Sequence, residues 1–224
     1  MRALFYLLYH HAAILYDLVA GFVSLGQWNE WIETALAYTD GGPLLELGFG
    51  TGHLQHRLLE SGRDVVGIDE SAQMVELAGR RLHSAGMEPR PLVRARAQQI
   101  PFRSRCFDNV VTAFPSEYIF DPGTLREVRR ILCDEGRLVV VLMAWHQGSS
   151  LLSKLMACLF RITGESSNNP EETAQLFGQR LGAADLHVQV KMVDLEASRV
   201  LVLVARKARD GKAAWQDFEN PLVA

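Results

Sequence analysis

Apolar residues recur along this chain in two different rhythms. Through the first forty residues they follow helical spacing and include Phe5, Tyr6, Tyr9, Tyr16, Phe22, Trp28, Trp31 and Tyr38, which predicts helices over roughly 3–23 and 27–38. Asp40-Gly41-Gly42-Pro43 ends the second of them. From Pro43 onward, short apolar runs alternate with turns and helical stretches, the grammar of repeated β-α units on a parallel sheet. Strands are expected at Leu44–Leu47, Asp64–Ile68, Pro91–Arg94, Phe107–Ala113 and Arg137–Ala144, and helices at Leu54–Ser61, Ala72–Ala85 and Gly123–Leu132. A helix near 171–181 precedes two further runs, Leu186–Leu195 and Arg199–Ala205, joined by Glu196-Ala197-Ser198. So short a link forces an antiparallel pair, because a parallel pair needs a crossover of about a dozen residues.

These elements fit one α/β domain across all 224 residues, with no Pro/Gly/Ser-rich linker to divide it. Residues 1–40 form a helical cap, 43–145 the core, 146–170 an insertion, 171–207 a last helix and hairpin, and 208–224 a polar tail. The insertion begins with an apolar, helix-like stretch from Leu151 to Phe160.

Composition narrows the function classes. At 48% hydrophobic and 22% charged residues the chain has enough apolar surface for a core. A formal charge of −3 provides no global field for nucleic acid, and the stretch holding Arg90, Arg94, Arg96, Arg103 and Arg105 lacks interleaved aromatics, so no nucleic-acid partner is expected. Cys106, Cys133 and Cys158 are odd in number and lack metal-ligand spacing, and His53 with His56 has no completing ligand; a cytoplasmic protein without a metal site is expected. The apolar N-terminus is interrupted by His10, His11 and Asp17 and falls short of the ~20 residues of a spanning helix, so a buried or interfacial helix with peripheral membrane contact is the expectation there.

Candidate chemistry gathers at Glu46-Leu47-Gly48-Phe49-Gly50-Thr51-Gly52, a glycine turn between a strand and a helix, where a parallel sheet presents backbone N–H groups to a ligand. His53 stands where a dinucleotide fingerprint has its third glycine, and Glu46 would repel a pyrophosphate while suiting an ammonium group. Asp69 ends the second strand, seventeen residues after Gly52, placed to accept from both hydroxyls of a ribose.

Leu44 to Gly52, followed by Val66-Gly67-Ile68-Asp69-Glu70-Ser71-Ala72-Gln73-Met74, resembles motif I and its successor in class I S-adenosylmethionine-dependent methyltransferases. Gln99-Ile100-Pro101-Phe102, Phe107-Asp108-Asn109-Val110-Val111 and Leu125 to Leu138 are similar to later blocks of the subgroup that includes quinone-biosynthesis methyltransferases. The resemblance implies a Rossmann-like seven-stranded sheet in the order 3-2-1-4-5-7-6, with strand seven antiparallel and an N-terminal helical lid. It implies S-adenosylmethionine as cofactor and S-adenosylhomocysteine as product. Glu46 and the backbone of Gly48, Phe49, Gly50 and Gly52 would hold the methionine part, and Asp69 the ribose. Glu70 and Met74 would border the adenosine, Ala97 and Gln98 the adenine, and Phe114 the cleft. The family's usual acid after strand three is Arg96 here, so either Gln98 supplies the adenine contact or Arg96 stacks on the ring.

Methyl transfer from a sulfonium asks mainly for proximity and orientation, so no catalytic cluster is required. Glu117, Tyr118 and His146 are candidates for a general base near the mouth. The aromatic cap and the apolar insertion sit where this family elaborates a lid, which points to a lipophilic or aromatic small-molecule acceptor. The competing reading is a non-catalytic binding or regulatory protein on the same fold.

Overall fold

The computed structural model describes residues 24–87, 91–146, 178–182 and 186–207. Its strands in chain order are β1 (Leu44–Leu47), β2 (Val65–Asp69), β3 (Leu92–Arg94), β4 (Phe107–Ala113), β5 (Leu132–His146), β6 (Leu186–Asp194) and β7 (Ser198–Lys207). They form one sheet in the order β3-β2-β1-β4-β5-β7-β6, the expected order. The first five run parallel, while β7 is antiparallel to both neighbours, β5 and β6. The tight link between β6 and β7 closes with Leu195 N–H donating to Ser198 O at 2.8 Å.

The helices are α1 (Trp28–Glu33), which tightens into a 3-10 turn over Thr34–Tyr38, then α2 (His53–Glu60), α3 (Ala72–Ser84) and α4 (Pro122–Ile131). Residues 178–182 are helical, and the rest of the expected 171–181 helix lies outside the described residues. So do the 3–23 helix, the Leu151–Phe160 stretch and the tail beyond 207. Among the described residues no helix is long and apolar enough to cross a membrane.

Period-two alternation sorts the strand side chains into two cores. Leu45, Leu47, Val110, Leu138, Val140 and Leu203 pack against Leu125, Val128 and Ile131 of α4. On the opposite face Leu44, Val65, Val111, Val139 and Val202 meet Trp31 and Ile32 of α1 and Leu54 and Leu58 of α2. Caps fix where two helices start: Ser71 Oγ accepts from Met74 N–H at 3.4 Å, and Asp121 accepts from Gly123 N–H at 2.7 Å and Thr124 N–H at 3.2 Å. Pro122 occupies the first turn of α4, where a missing N–H is harmless.

Most boundaries shift by one or two residues from the sequence reading, and one shifts further. Strand β5 begins at Leu132 rather than Arg137, because Phe107 pairs with Leu132 across a register shift and Glu135 takes a positive φ of 66°. Lys207, at the end of β7, donates to Leu132 O at 2.8 Å and ties down this early segment.

Candidate functional site

The glycine turn leaves the carboxyl end of β1 with backbone that side chains resist. Gly48 has a φ of +72°, and a Cβ there would lie 2.4 Å from Tyr118 Oη. Gly52, at φ +84°, is the cap residue of α2, and its absent Cβ lets the turn rest on Ala78 of α3, which would otherwise be 2.8 Å away. The third glycine, Gly50, has open space where a Cβ would stand. The turn is thus wedged by Tyr118 on one side and α3 on the other, with its middle facing the cleft.

Two acids sit beneath it. Glu46 is 2% exposed, and its Oε2 has no hydrogen-bond partner among the described residues. Burial pushes its carboxyl well above the ordinary carboxylate range, and the nearby charge of Asp69 adds to the rise. Asp69 is 4% exposed and shapes the turn, since Oδ2 accepts from Gly50 N–H at 2.9 Å and Oδ1 from Ser71 N–H at 2.8 Å. Burial raises its pKa too, and those two N–H groups only partly offset the rise. A buried acid with an unmet oxygen, opening on a cleft, is a receptor for a cation or a donor.

The other predicted cofactor residues divide into two groups. Phe49 and Met74 are 4% and 0% exposed and pack on each other and Ala78, so the second supports the turn from below. Glu70 is exposed and paired with Arg96, whose Nε and Nη2 both lie 3.0 Å from Glu70 Oε1. Ala97 packs at the edge of the α4 core, and Gln98 lies against Gly123, its Cγ 3.3 Å from where a Cβ would be. A clamp missed in the sequence holds this loop. Glu127 accepts from Ile100 N–H at 2.8 Å, and Arg130 donates to Ile100 O at 2.9 Å and Phe102 O at 2.7 Å. The i,i+3 spacing of Glu127 and Arg130 was the available signal.

Above the turn lies a shallow cleft, open to solvent and lined by Glu46, Gly48, Gly50, His53, Phe114 and Tyr118, with Trp28 and Ile32 on one side. Its far wall is aromatic. Trp28 stacks on Phe114 with centroids 4.7 Å apart, and Trp31 lies 6.0 Å from Phe114 and 5.1 Å from His146. The buried Trp31 Nε1–H is met by Ser198 Oγ at 2.8 Å. Phe114 adopts a left-handed φ of 47°, held by its N–H on Val141 O at 2.7 Å, a strained arrangement for a bulky residue.

The three base candidates fall in different places. Tyr118 lines the cleft, but its one hydroxyl proton goes to Leu47 O at 3.0 Å, so Thr112 Oγ1, also at 3.0 Å, donates to it. Glu117 is exposed and His146 packs half-buried against Trp31, and neither lines the cleft.

Residues 45–140 match the methyltransferase domain family. The ubiquinone/menaquinone biosynthesis C-methyltransferase of Geotalea uraniireducens is 29% identical over 134 residues, which are 56% of this chain and 57% of that protein. The 2-phytyl-1,4-naphtoquinone methyltransferase of Trichormus variabilis is 30% identical over 142 residues, 60% of this chain and 62% of that protein. The chain therefore spans less than two thirds of the length of these relatives. Among solved structures, a SAM-dependent methyltransferase from Aquifex aeolicus superposes with a TM-score of 0.54 at 18% identity, covering 79% of this chain and 88% of that one. Sequence match and strand order agree: residues 45–140 match the methyltransferase domain family that the glycine turn resembles, and the chain shares the fold of a solved SAM-dependent methyltransferase.

Proposed function

We propose that this protein transfers the methyl group of S-adenosylmethionine to a planar, lipophilic small molecule. The observation that carries the reading is the continuity of one cleft from the buried acid Glu46 to the stacked Trp28–Phe114 wall. The residues present fit the cofactor: the unmet Glu46 oxygen suits its ammonium, and Gly50 leaves room for close approach to the backbone. Each Asp69 oxygen keeps a lone pair beyond the one used by a backbone N–H, enough to accept from ribose hydroxyls. The Glu70–Arg96 pair borders the adenine side, where the guanidinium plane offers a stacking surface.

When bound, the cofactor supplies a methyl group already activated as an electrophile, and in-line transfer then depends on orientation and on excluding water. The aromatic wall does both, because flat apolar faces hold a ring-shaped acceptor while displacing solvent. The quinone-type acceptors in the names of the two relatives support this class of substrate.

The test is methyl transfer from radiolabelled S-adenosylmethionine to a demethylnaphthoquinol and, in parallel, to a hydrophilic amine of similar size. Label in the quinol alone is the expected result. Tight S-adenosylhomocysteine binding with transfer only to the amine would overturn the acceptor class, and binding with no transfer to either would favour a non-catalytic role.

A further inference from the structure

Gln55, in the first turn of α2, is 0% exposed, and neither its Oε1 nor its Nε2 has a hydrogen-bond partner among the described residues. Its amide occupies the space left by the missing side chain of Gly67, with Oε1 3.1 Å from where a Cβ would stand, beside Phe49. Gly67 is the registered neighbour of Glu46 on the adjacent parallel strand, so the two positions face the same side of the sheet about 5 Å apart. Thus beneath the cleft, on one face of neighbouring strands, two buried groups lack hydrogen-bond partners among the described residues: the Gln55 amide, seated over Gly67 with a donor to offer, and Glu46 Oε2, which can only accept when ionised. Left apart, each forgoes a hydrogen bond in a low-dielectric setting; together they are complementary.

We propose that Gln55 is a positioning residue of the cofactor site, supplying through Nε2 a hydrogen bond to Glu46 that holds its carboxylate ionised to receive the cofactor's ammonium. A rotamer change at Gln55 or one internal water closes the gap, and either route leaves the same donor serving the same acceptor. The inference rests on the reading of Glu46 as the ammonium's partner. Among the described residues, the charged and titratable groups that share the cleft with Glu46 or act on it are Asp69 on β2, His53 on α2 and Tyr118 on the turn after β4, while α1 lines the cleft with Trp28 and Ile32.

The experiment is calorimetric titration of the full chain with S-adenosylhomocysteine from pH 5 to 8.5, on the wild type, Gln55→Met, Gln55→Leu and Glu46→Gln, with methylthioadenosine, which lacks the ammonium, as control. Wild-type affinity for S-adenosylhomocysteine should rise with pH as Glu46 ionises. In Gln55→Met, which keeps the volume but not the donor, that rise should move upward by about one pH unit, with a cooperative thermal melt checking that the fold is intact; Gln55→Leu is the second apolar variant should Met pack poorly. Glu46→Gln should remove the pH dependence, and methylthioadenosine should show none. An unmoved midpoint in both Gln55 variants, with Glu46→Gln still flattening the profile, overturns the role of Gln55 and leaves Glu46 standing. A wild-type profile unaffected by Glu46→Gln overturns both.

Discussion

The two ends of the cleft are made in opposite ways. The glycine-turn end comes from one continuous β-α-β stretch, and its buried groups are polar, charged or short of partners, with Glu46 and Gln55 the extremes. The aromatic end gathers Trp28 and Trp31 from α1, Phe114 from the end of β4, His146 from β5 and Ser198 from β7, and its buried indole N–H is paired. One end holds electrostatic cost that the proposed cofactor would relieve; the other is packed in the free protein. Substitutions should therefore separate the ends by which ligand they affect, those at the turn changing cofactor affinity and those at the wall changing acceptor recognition.

The largest effect is expected at the wedge beneath the turn. Gly48→Ala combines a positive φ with a Cβ driven into Tyr118 Oη, and should destabilise the fold by about 3 kcal/mol in urea titration while abolishing S-adenosylhomocysteine binding. Asp69→Ala leaves the N–H groups of Gly50 and Ser71 without their acceptor and removes the carboxylate proposed to meet the ribose. About 2 kcal/mol of stability and on the order of a hundredfold in cofactor affinity should go with it. Unchanged affinity would mean that Asp69 serves only the turn.

Glu46→Gln should act with the opposite sign on stability. Burial raises the Glu46 pKa in the folded state above its ordinary value of 4.5, so the unfolded chain releases this proton first as pH rises. Stability from this group is thus greatest at low pH and falls as pH climbs from about 4.5 through the raised folded value. The neutral variant escapes that loss. Its melting temperature should match wild type near pH 4 and exceed it by a few degrees at neutral pH, while cofactor affinity there falls roughly tenfold. A variant less stable than wild type at neutral pH would show that the proposed hydrogen bond from Gln55 outweighs the burial cost of the Glu46 charge in the free protein.

The same contrast explains what was legible in the sequence. Glu46, the glycines and Asp69 were readable because their geometry is local: a strand end, a turn and the next strand end fix them within residues 46–69. The hairpin of β6 and β7, and with it the antiparallel strand, followed from a link too short for a crossover. Apart from Phe114, the aromatic wall was visible only as a surplus of large residues in the N-terminal helices, since the contacts of Trp28 with Phe114 and of Trp31 with Ser198 join residues far apart in the chain and depend on sheet order. Tyr118 illustrates the limit further: its residue type suggests a base, whereas its bonds to Leu47 O and Thr112 make it a brace. Met74 likewise matches a motif position, yet helix phase turns it into the core.

The smallest effect, and the sharpest separation of the two ends, is expected from Trp28→Leu. Trp28 is half-buried and touches the cleft through one ring face stacked on Phe114, so replacing it with a smaller apolar side chain forfeits the ring contact but little core packing. Stability should fall by about 1 kcal/mol or less. Cofactor affinity should not move, because nothing in the Glu46–Asp69 floor depends on that ring. The acceptor KM should rise several-fold, with kcat at saturating acceptor changed less, since a stacking face that binds ground state and transition state alike alters occupancy more than rate. A matching loss in kcat would instead place Trp28 among the groups that align the acceptor for in-line attack, and the aromatic wall would then be part of the transfer geometry itself.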